Sequence, residues 1–455
     1  MTTTSLSQLE RLKELVSPRV GLIRSVTPIA RGAEEPNPPL LYQAILSNFD
    51  FSPRGAPERA GTGKGETEAE AMTGAICEAV ERYCAFHPDL ETVVRARYAD
   101  VAGGGAMHPS RFVLFSEEQY AQRQVGFAPF DDQREIGWSR AWNLSEARET
   151  LIPASLAYLN YGGPQNNEYL CVPSSNGFAA GPDLDFAVLG GLYELVERDG
   201  FLMAWMNRLP IPRVDFSDAT GLPNAIRRHY ERFGIELQVF NATTDIPIAV
   251  MIAVAIDRSH PAASPLVGAL PEGQRGPAAV VGLGCHLNPA IALRKALLEI
   301  CQTRAGETRR FRREAPSRRV LNYTDVREME DHTALFDAPE RLPELDFLLT
   351  TPHTQRLADI PNLAGDSVRA DLERCVAFLG EAGSQVAYLD VTTPDIAERD
   401  LRVARVIATE LQPIHFGYGQ ERLGGRRLFE TPRRLGYTPG DRTVADLNPC
   451  PHPLA

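Results

Sequence analysis

Two short stretches of this chain carry one charged pattern, Glu-x-x-Glu-Arg, at residues 78–82 and 194–198. Carboxylates held close together repel one another unless a cation lies between them. Hard oxygen ligands in such an arrangement suit Mg²⁺, which usually accompanies a nucleotide phosphate. The pattern therefore indicates a magnesium and nucleotide site, and its carboxylates are Glu78, Glu81, Glu194 and Glu197.

A third and looser copy of the pattern follows Gly284. Within it, Glu299 stands seven residues after an alanine, as the first glutamate does in the other two copies. Gln302 takes the place of the second carboxylate, and Arg304 lies beyond it. Each copy is interpreted as a glycine-rich turn that leads into a helix bearing acidic or amide groups.

One such helix taken alone has a simpler interpretation. In the first copy, an apolar stripe of Ile76, Ala79, Val80 and Tyr83 leaves the charged residues on the opposite side, as on a salt-bridged face exposed to solvent. Recurrence favours a shared ligand, because a solvent-exposed face need not repeat its spacing. Helices that converge on one ligand must present matching groups.

The glycine-rich segments have two interpretations as well. GTGKG, residues 61–65, either presents backbone N–H groups and Lys64 to a phosphate or is an ordinary turn. It is not a Walker A loop, because no Ser or Thr follows its Gly-Lys pair. In PSSNGFAAG, residues 173–181, the polar residues that either bind a ligand or form turn hydrogen bonds are Ser174, Ser175 and Asn176.

Helices and strands alternate along the chain, which predicts a mixed α/β fold. A T-x-x-E capping box at Thr67 starts the first motif helix, and Asn288-Pro289 starts the third. Strands are predicted at residues 20–29, 41–49, 235–243, 246–256, 278–287 and 386–391.

Length and composition describe a large globular protein. The 455 residues are 43% hydrophobic, and no linker divides them, so a short amphipathic segment at 1–17 precedes one predicted domain at 18–455. The formal charge of −12 argues against a nucleic-acid partner. The seven cysteines show no CxxC pairing, and no apolar run is long enough to cross a membrane, which predicts a cytoplasmic protein with reduced thiols.

The motifs resemble the YcaO superfamily over essentially the whole chain, and in particular the cyclodehydratase subunits that make thiazole and oxazole rings in ribosomal peptides such as microcins. The resemblance implies an ATP-binding fold in which glutamates of the motif helices hold Mg²⁺. One position departs from the family pattern, because Ala75 stands where the family has a serine. The stretches that carry the resemblance are GKGETEAEAMTGAICEAVERY, PSSNGFAAGPDLDFAVLGGLYELVERDGFLMAW, GLGCHLNPAIALRKALLEICQTR and the terminal PCPHP.

The resemblance also implies a role for each matching residue. Nucleophilic attack by a Cys, Ser or Thr side chain on the preceding carbonyl, capture of the oxyanion by the ATP γ-phosphate and loss of phosphate would give an azoline. By position, the implied Mg²⁺ ligands are Glu78, Glu81, Glu194, Glu197 and Gln302. The residues implied around ATP are Lys64, Glu78, Arg82, Glu194, Arg198, Glu299, Gln302 and Arg304, of which Arg198 and Arg304 also serve catalysis.

The tail at 449–455 spaces a proline at every second position, so it is stiff and extended. By itself such an end is typical of a frayed terminus, whereas related cyclodehydratases end in a similar tail that reaches the active site. Cys450 beside His452 is not interpreted as a nucleophilic pair, because adjacency in sequence says little about geometry. The tail residues implied in catalysis are Pro449, Pro451, Pro453 and Ala455.

The implied partners are a precursor peptide, an E1-like or other leader-binding protein, a flavin dehydrogenase in the same complex and a second copy of the chain. Two alternatives stay open. One is a YcaO enzyme that forms a peptide thioamide or amidine, and the other is a non-catalytic scaffold that holds a peptide, which the alanine at position 75 motivates.

Overall fold

The computed structural model describes residues 6–47, 60–122, 125–162, 168–257, 276–313, 320 and 322–454. Its strands are β1 (Ile23–Pro28), β2 (Leu40–Leu46), β3 (Ala60–Gly65), β4 (Val94–Ala96), β5 (Ile136–Asn143), β6 (Arg148–Pro153), β7 (Phe178–Gly181), β8 (Arg213–Asp215), β9 (Ile235–Asn241), β10 (Ala249–Asp257), β11 (Ala279–His286), β12 (Thr354–Arg356), β13 (Val386–Asp390) and β14 (Arg402–Ala408). Its α-helices are α1 (Leu6–Lys13), α2 (Glu68–Ala85), α3 (Tyr98–Val101), α4 (Glu117–Ala121), α5 (Ala154–Ala157), α6 (Leu184–Met206), α7 (Leu222–Arg232), α8 (Pro289–Arg313), α9 (Met329–Ala334), α10 (Asp346–Leu349), α11 (Val368–Glu381), α12 (Pro394–Ala397) and α13 (Arg427–Arg434).

The strands form three sheets. The first has the order β1-β2-β3, and the second has the order β11-β10-β9-β8-β12. The third has the order β4-β5-β13-β14-β7, with β6 paired to β5. Every pairing is antiparallel except that of β8 with β12 in the described part of the chain.

Helix α6 lies between the second and third sheets and is buried along most of its length. Its sequence is apolar on nearly all sides, which is the pattern of a helix covered all round. Phe201 and Trp205 of α6 stack at 6.3 Å between ring centroids, and both are almost fully buried. The helix therefore fixes how the two sheets face each other.

All six strand predictions fall on observed strands, although residues 48 and 49 lie outside the described residues. The capping box is confirmed, since the Thr67 hydroxyl accepts from the Glu70 N–H at 3.2 Å. The amphipathic segment forms α1, which packs Leu9 and Leu12 into the core beside α2, while residues 1–5 lie outside the described part.

The prediction of a glycine-rich turn at 61–65 is wrong, because these residues form strand β3, paired with β2. The glycines serve close packing instead. A Cβ on Gly63 would overlap the carbonyl oxygen of Ala71, so only glycine lets α2 lie directly on the strand.

No helix of the described residues combines the length and the apolar character that a membrane crossing requires.

Candidate functional site

The three motif helices follow their strands in the same way. β3 leads into α2, β7 into α6 and β11 into α8, and two residues separate strand from helix in every case. The close packing recurs in the third unit, where a Cβ on Gly284 would overlap the Ala292 carbonyl oxygen. In the second unit the glycine is on the helix, because Ala179 of β7 faces Gly190 of α6.

This packing places the first glutamate of each motif copy against a backbone N–H of the preceding segment. Glu78 Oε2 accepts from both the N–H and the hydroxyl of Thr62 at 2.9 Å. Glu194 Oε2 accepts from the Gly177 N–H at 3.3 Å, and Glu299 accepts from the Leu283 N–H. One local geometry therefore positions three carboxylates.

Contacts between the units bring these carboxylates together. The Gln302 side-chain amide donates to the Thr62 hydroxyl at 2.6 Å, and Lys64 Nζ lies 3.4 Å from Glu299 Oε2. Both contacts tie α8 to β3. We use the name carboxylate cluster for Lys64, Glu78, Glu81, Arg82, Glu194, Glu197, Arg198, Glu299 and Gln302.

The arginines of the two Glu-x-x-Glu-Arg stretches lie beside their own glutamates. Arg82 is 3.3 Å from Glu78. Arg198 is 3.7 Å from Glu194 and 3.3 Å from Glu197, whose side chain is buried. Glu194 of α6 acts electrostatically on Glu81 of α2, and Glu299 of α8 acts on Glu197, so the predicted site residues of all three motif helices, apart from Arg304, are gathered in one place.

Removal from water dominates the electrostatics of the cluster. Burial raises the pKa of Glu81 well above its ordinary value, and it raises the pKa of Glu194 and Glu197, the latter to about 7. Glu299 differs, because Lys64 and Arg198 hold its pKa low although burial acts in the opposite direction. Carboxylates whose charge is disfavoured in this way gain from a divalent cation.

Sequence reasoning missed Lys295 and Arg405. Lys295 lies one helical turn before Glu299, donates to the Cys285 carbonyl at 3.2 Å and acts on Glu197. Because Lys295 and Glu299 are four residues apart on one helix, the sequence could have predicted that Lys295 lies on the same face. Arg405 comes from β14, far away in sequence, and no local spacing reveals it.

Arg405 holds the segment that precedes β7. Its guanidinium donates to the carbonyl oxygens of Ser174, at 3.2 Å, and Asn176, and it lies 4.6 Å from the centre of the Phe178 ring. Burial lowers its pKa to about 10, while Glu194 opposes that change. The Phe178 N–H donates to the Ser175 carbonyl at 2.9 Å, so the backbone turns here.

Arg304 does not join the cluster. Its guanidinium is buried and pairs with Glu35, with Asp257 at 3.6 Å, and it lies 5.7 Å from the centre of the Tyr230 ring. On a regular helix Arg304 points about 200° away from Gln302, so the two side chains face different surroundings. The implied contact of Arg304 with phosphate is therefore corrected to a structural ion pair.

The C-terminal tail is docked rather than frayed. Pro449 is exposed, but Pro451, His452 and Pro453 are buried, while Ala455 lies outside the described residues. The carbonyl of Cys450 accepts from the Trp205 indole N–H at 2.9 Å.

Three histidines hold the tail. The Gly417 N–H donates to His332 Nε2 at 2.9 Å, so the proton of that ring is on Nδ1, which donates to the His452 carbonyl at 2.8 Å. The Leu454 N–H donates to His452 Nδ1 at 3.4 Å, and His452 Nε2 donates to the His415 carbonyl at 2.7 Å. Arg198 is among the charges that act on His452, so the tail lies near the carboxylate cluster.

Cys450 does not form a nucleophilic pair with His452. The Cys450 thiol lies 3.5 Å from the Pro451 carbonyl, and burial raises its pKa to about 12. A thiol in that state is a poor nucleophile. Ala75, at the position of the family serine, is fully buried in the core that α2 shares with β2.

The cluster fits a magnesium nucleotide by its donors. No three acidic, histidine or cysteine side chains of the described residues have the spacing of a ready metal site. Mg²⁺ with a nucleotide usually takes one or two carboxylates and completes its coordination with phosphates and water, so pairs of glutamates suffice. A separate cavity of about 350 Å³ lies at the start of α8, and none of the cluster residues lines it.

The chain matches the family model of YcaO cyclodehydratases, described as ATP- and Mg²⁺-binding, over residues 62–412. It therefore belongs to the YcaO family, whose cofactors are ATP and Mg²⁺. It is 28% identical over 370 residues to an uncharacterized protein of Methanothermobacter thermautotrophicus, covering 80% of this chain and 84% of that one.

Solved structures share the fold. A heterocyclase in complex with substrate and cofactor matches with a TM-score of 0.79 and 28% identity, covering 98% of this chain and 57% of that one. The heterocyclase TruD matches with a TM-score of 0.65 and 27% identity over 84% of this chain and 50% of TruD. The YcaO protein of Methanopyrus kandleri bound with AMPPCP and Mg²⁺ matches with a TM-score of 0.61 and 21% identity, covering 90% of this chain and 89% of that one. The predicted mixed α/β fold is confirmed, and the chain spans about half the length of the two heterocyclases.

Proposed function

We propose that this chain is an ATP-dependent peptide cyclodehydratase. It closes Cys, Ser or Thr side chains of a ribosomally made precursor peptide onto the preceding backbone carbonyl and forms thiazoline or oxazoline rings. The observation that carries this proposal is the convergence of three strand–helix units on one cluster of glutamates and basic residues. An amide oxygen leaves poorly as water, and bound ATP supplies the phosphoryl group that makes it a good leaving group.

Within this proposal the residues divide by charge. Lys64, Arg82 and Arg198 contact phosphate oxygens, and Glu299 holds Lys64 in place through their 3.4 Å contact. Fixed positive groups of this kind stabilise the charge on a phosphoryl group during transfer. The Mg²⁺ ligands are Glu78, Glu81, Glu194, Glu197 and Gln302.

The docked tail excludes water and orients the peptide at the cluster. Support comes from its burial and from the histidine contacts that end near Arg198. Pro451 and Pro453 have little conformational freedom to lose when they dock, because proline fixes its own backbone angle. The implied role of Ala455 stays a prediction.

An E1-like protein is the proposed leader-binding partner. Support comes from the resemblance of the motifs to cyclodehydratase subunits, which implies such a partner. A flavin dehydrogenase in the same complex and homodimerisation stay predictions, as does the single domain at 18–455.

The test is mass spectrometry of candidate precursor peptides incubated with this chain, ATP, Mg²⁺ and an E1-like partner encoded beside it. Loss of one water per cyclised residue, with one phosphate released for each, supports the proposal. Replacement of an amide oxygen by sulfur or nitrogen would favour the thioamide or amidine reaction. Peptide binding without phosphate release would favour a scaffold.

A further inference from the structure

A small groove lies between residues 172–174 and 414–422. It holds about 20 Å³, which is room for about one water-sized group. Apolar side chains and four polar residues line it, so it is a shaped site with few hydrogen-bonding groups. Ser174 and His415 are among the lining residues, and we call this site the His415 groove.

His415 lines this groove, and one nitrogen of its ring is buried without a partner among the described residues. Its side chain is 6% exposed, and Nδ1 has no hydrogen-bond partner among the described residues. Nε2 lies 4.0 Å from the carboxylate of Glu421, which is too far for a hydrogen bond. A carboxylate on that side favours the N–H on Nε2 and leaves the lone pair on Nδ1. Burial lowers the pKa of His415 to about 3, so the ring is neutral. A buried acceptor without a partner is costly in a protein that binds nothing there.

Two lining residues of the groove contact groups that lead to the two parts of the proposed active site. Its Ser174 wall is held by Arg405, whose charge interacts with Glu194 and Glu81 of the cluster. On the other side, the carbonyl of His415 accepts from the tail residue His452. The groove is therefore connected to the carboxylate cluster through Arg405 and to the tail through the His415 carbonyl.

We propose that the His415 groove receives the hydroxyl or thiol of the substrate residue that is about to cyclise, and that His415 Nδ1 accepts its hydrogen bond. This inference rests on the proposed function. Ser, Thr and Cys side chains each end in one small group of the size that the groove holds. The hydrogen bond orients the nucleophile before it attacks, and it matters more for a hydroxyl than for a thiol, because S–H is a weak donor.

The test compares three variants on two peptides that differ only in Ser or Cys at one cyclising position. His415→Asn keeps a polar atom near the position of Nδ1, His415→Gln moves it toward that of Nε2, and His415→Phe removes it while keeping a ring. The His415→Phe and His415→Gln variants should lower kcat/KM about tenfold for the Ser peptide and by much less for the Cys peptide. His415→Asn should keep kcat/KM for both peptides close to that of the parent. Affinity for AMPPCP with Mg²⁺ and the Tm should stay at parental values for Asn and Gln.

Several outcomes would overturn the inference. Equal losses for both peptides, parental rates in the Gln variant, or losses matched by weaker AMPPCP binding would show that His415 does not contact the nucleophile. A parent protein that cyclises neither peptide with its partner present would refute the proposed function, and this inference with it. A parent that cyclises both peptides while the Asn and Gln variants behave alike would refute this inference alone.

Discussion

Substitution of Glu78 by glutamine separates the structural role of this side chain from its proposed metal-binding role. One carboxylate oxygen accepts both Thr62 hydrogen bonds, and the other lies 3.3 Å from Arg82. In Glu78→Gln the amide oxygen keeps the Thr62 bonds, and the NH₂ group takes the place of the oxygen beside Arg82. The change therefore removes one negative charge and leaves the contact between helix and strand.

The expected losses in stability and in activity are of different size. The Glu78–Arg82 pair is an i, i+4 pair with side chains 31% and 22% exposed, so its loss costs about 0.5 kcal/mol. Loss of a ligand to the metal ion that stabilises charge on the phosphoryl group should cost on the order of 10²-fold in turnover, which is about 2.7 kcal/mol. Activity should thus collapse while Tm changes by a degree or two at most.

Phosphate release and ring formation measure the activity, and thermal denaturation measures the stability. The control is Glu78→Ala, which also leaves the Thr62 N–H without its partner and should cost about 1–3 kcal/mol more in unfolding free energy. Two results would refute the reasoning. One is parental turnover in Glu78→Gln, and the other is a loss of stability as large as that of Glu78→Ala.

Further predictions test other parts of the site. Burial raises the pKa of Glu197 from 4.5 to about 7, so the folded state keeps a proton that the unfolded state releases. The nucleotide-free protein should therefore lose stability as the pH rises from about 4.5 to about 7. The unfolding free energy should fall by at most about 1.4 kcal/mol per pH unit in the parent and by less in Glu197→Gln. Urea denaturation at about pH 5.5 and 7.5 measures this difference. Gly63→Ala should lower the unfolding free energy by about 1–3 kcal/mol, whereas Gly103→Ala, where a Cβ meets nothing within 4 Å, should not. Deleting 449–455 or adding a C-terminal tag should impair ring formation far more than AMPPCP binding, and equal losses of both would contradict a role for the tail at the site. An E1-like partner should raise turnover of a leader-bearing peptide, and full leader-dependent turnover without it would contradict that dependence.

The repeated spacing in the sequence predicts the cluster because the spacing is a local property. Seven residues make nearly two helical turns, so an alanine that touches the strand places the glutamate two turns later on the same face. The strands and the capping box were likewise predictable from short-range patterns. The same sequence misled about residues 61–65, because glycines that permit close packing look like glycines that permit a turn.

Features that depend on distant contacts were not predictable. Arg405 reaches the site because β14 pairs with β7, opposite Phe178. The tail is held at His452 by His332, which is 120 residues away in sequence, and by His415, which is 37 residues away. The predicted contact of Arg304 with phosphate was wrong, although helix geometry could have excluded it. Two residues along a helix turn a side chain to nearly the opposite face, so Arg304 and Gln302 cannot point into one site.

The third unit differs from the other two in what it contributes. Its Gln302 carries no charge and donates to the Thr62 hydroxyl, which in turn donates to Glu78. A glutamate at this position would place an acceptor where the hydroxyl already donates to another carboxylate, so the amide is the group that completes the chain of hydrogen bonds. The first two units therefore supply most of the negative charge, and the third orients the Thr62 hydroxyl that holds Glu78 in position. Because a chain of hydrogen bonds polarises its members, loss of the Gln302 amide should weaken the site through Glu78 even if Gln302 never contacts a metal ion.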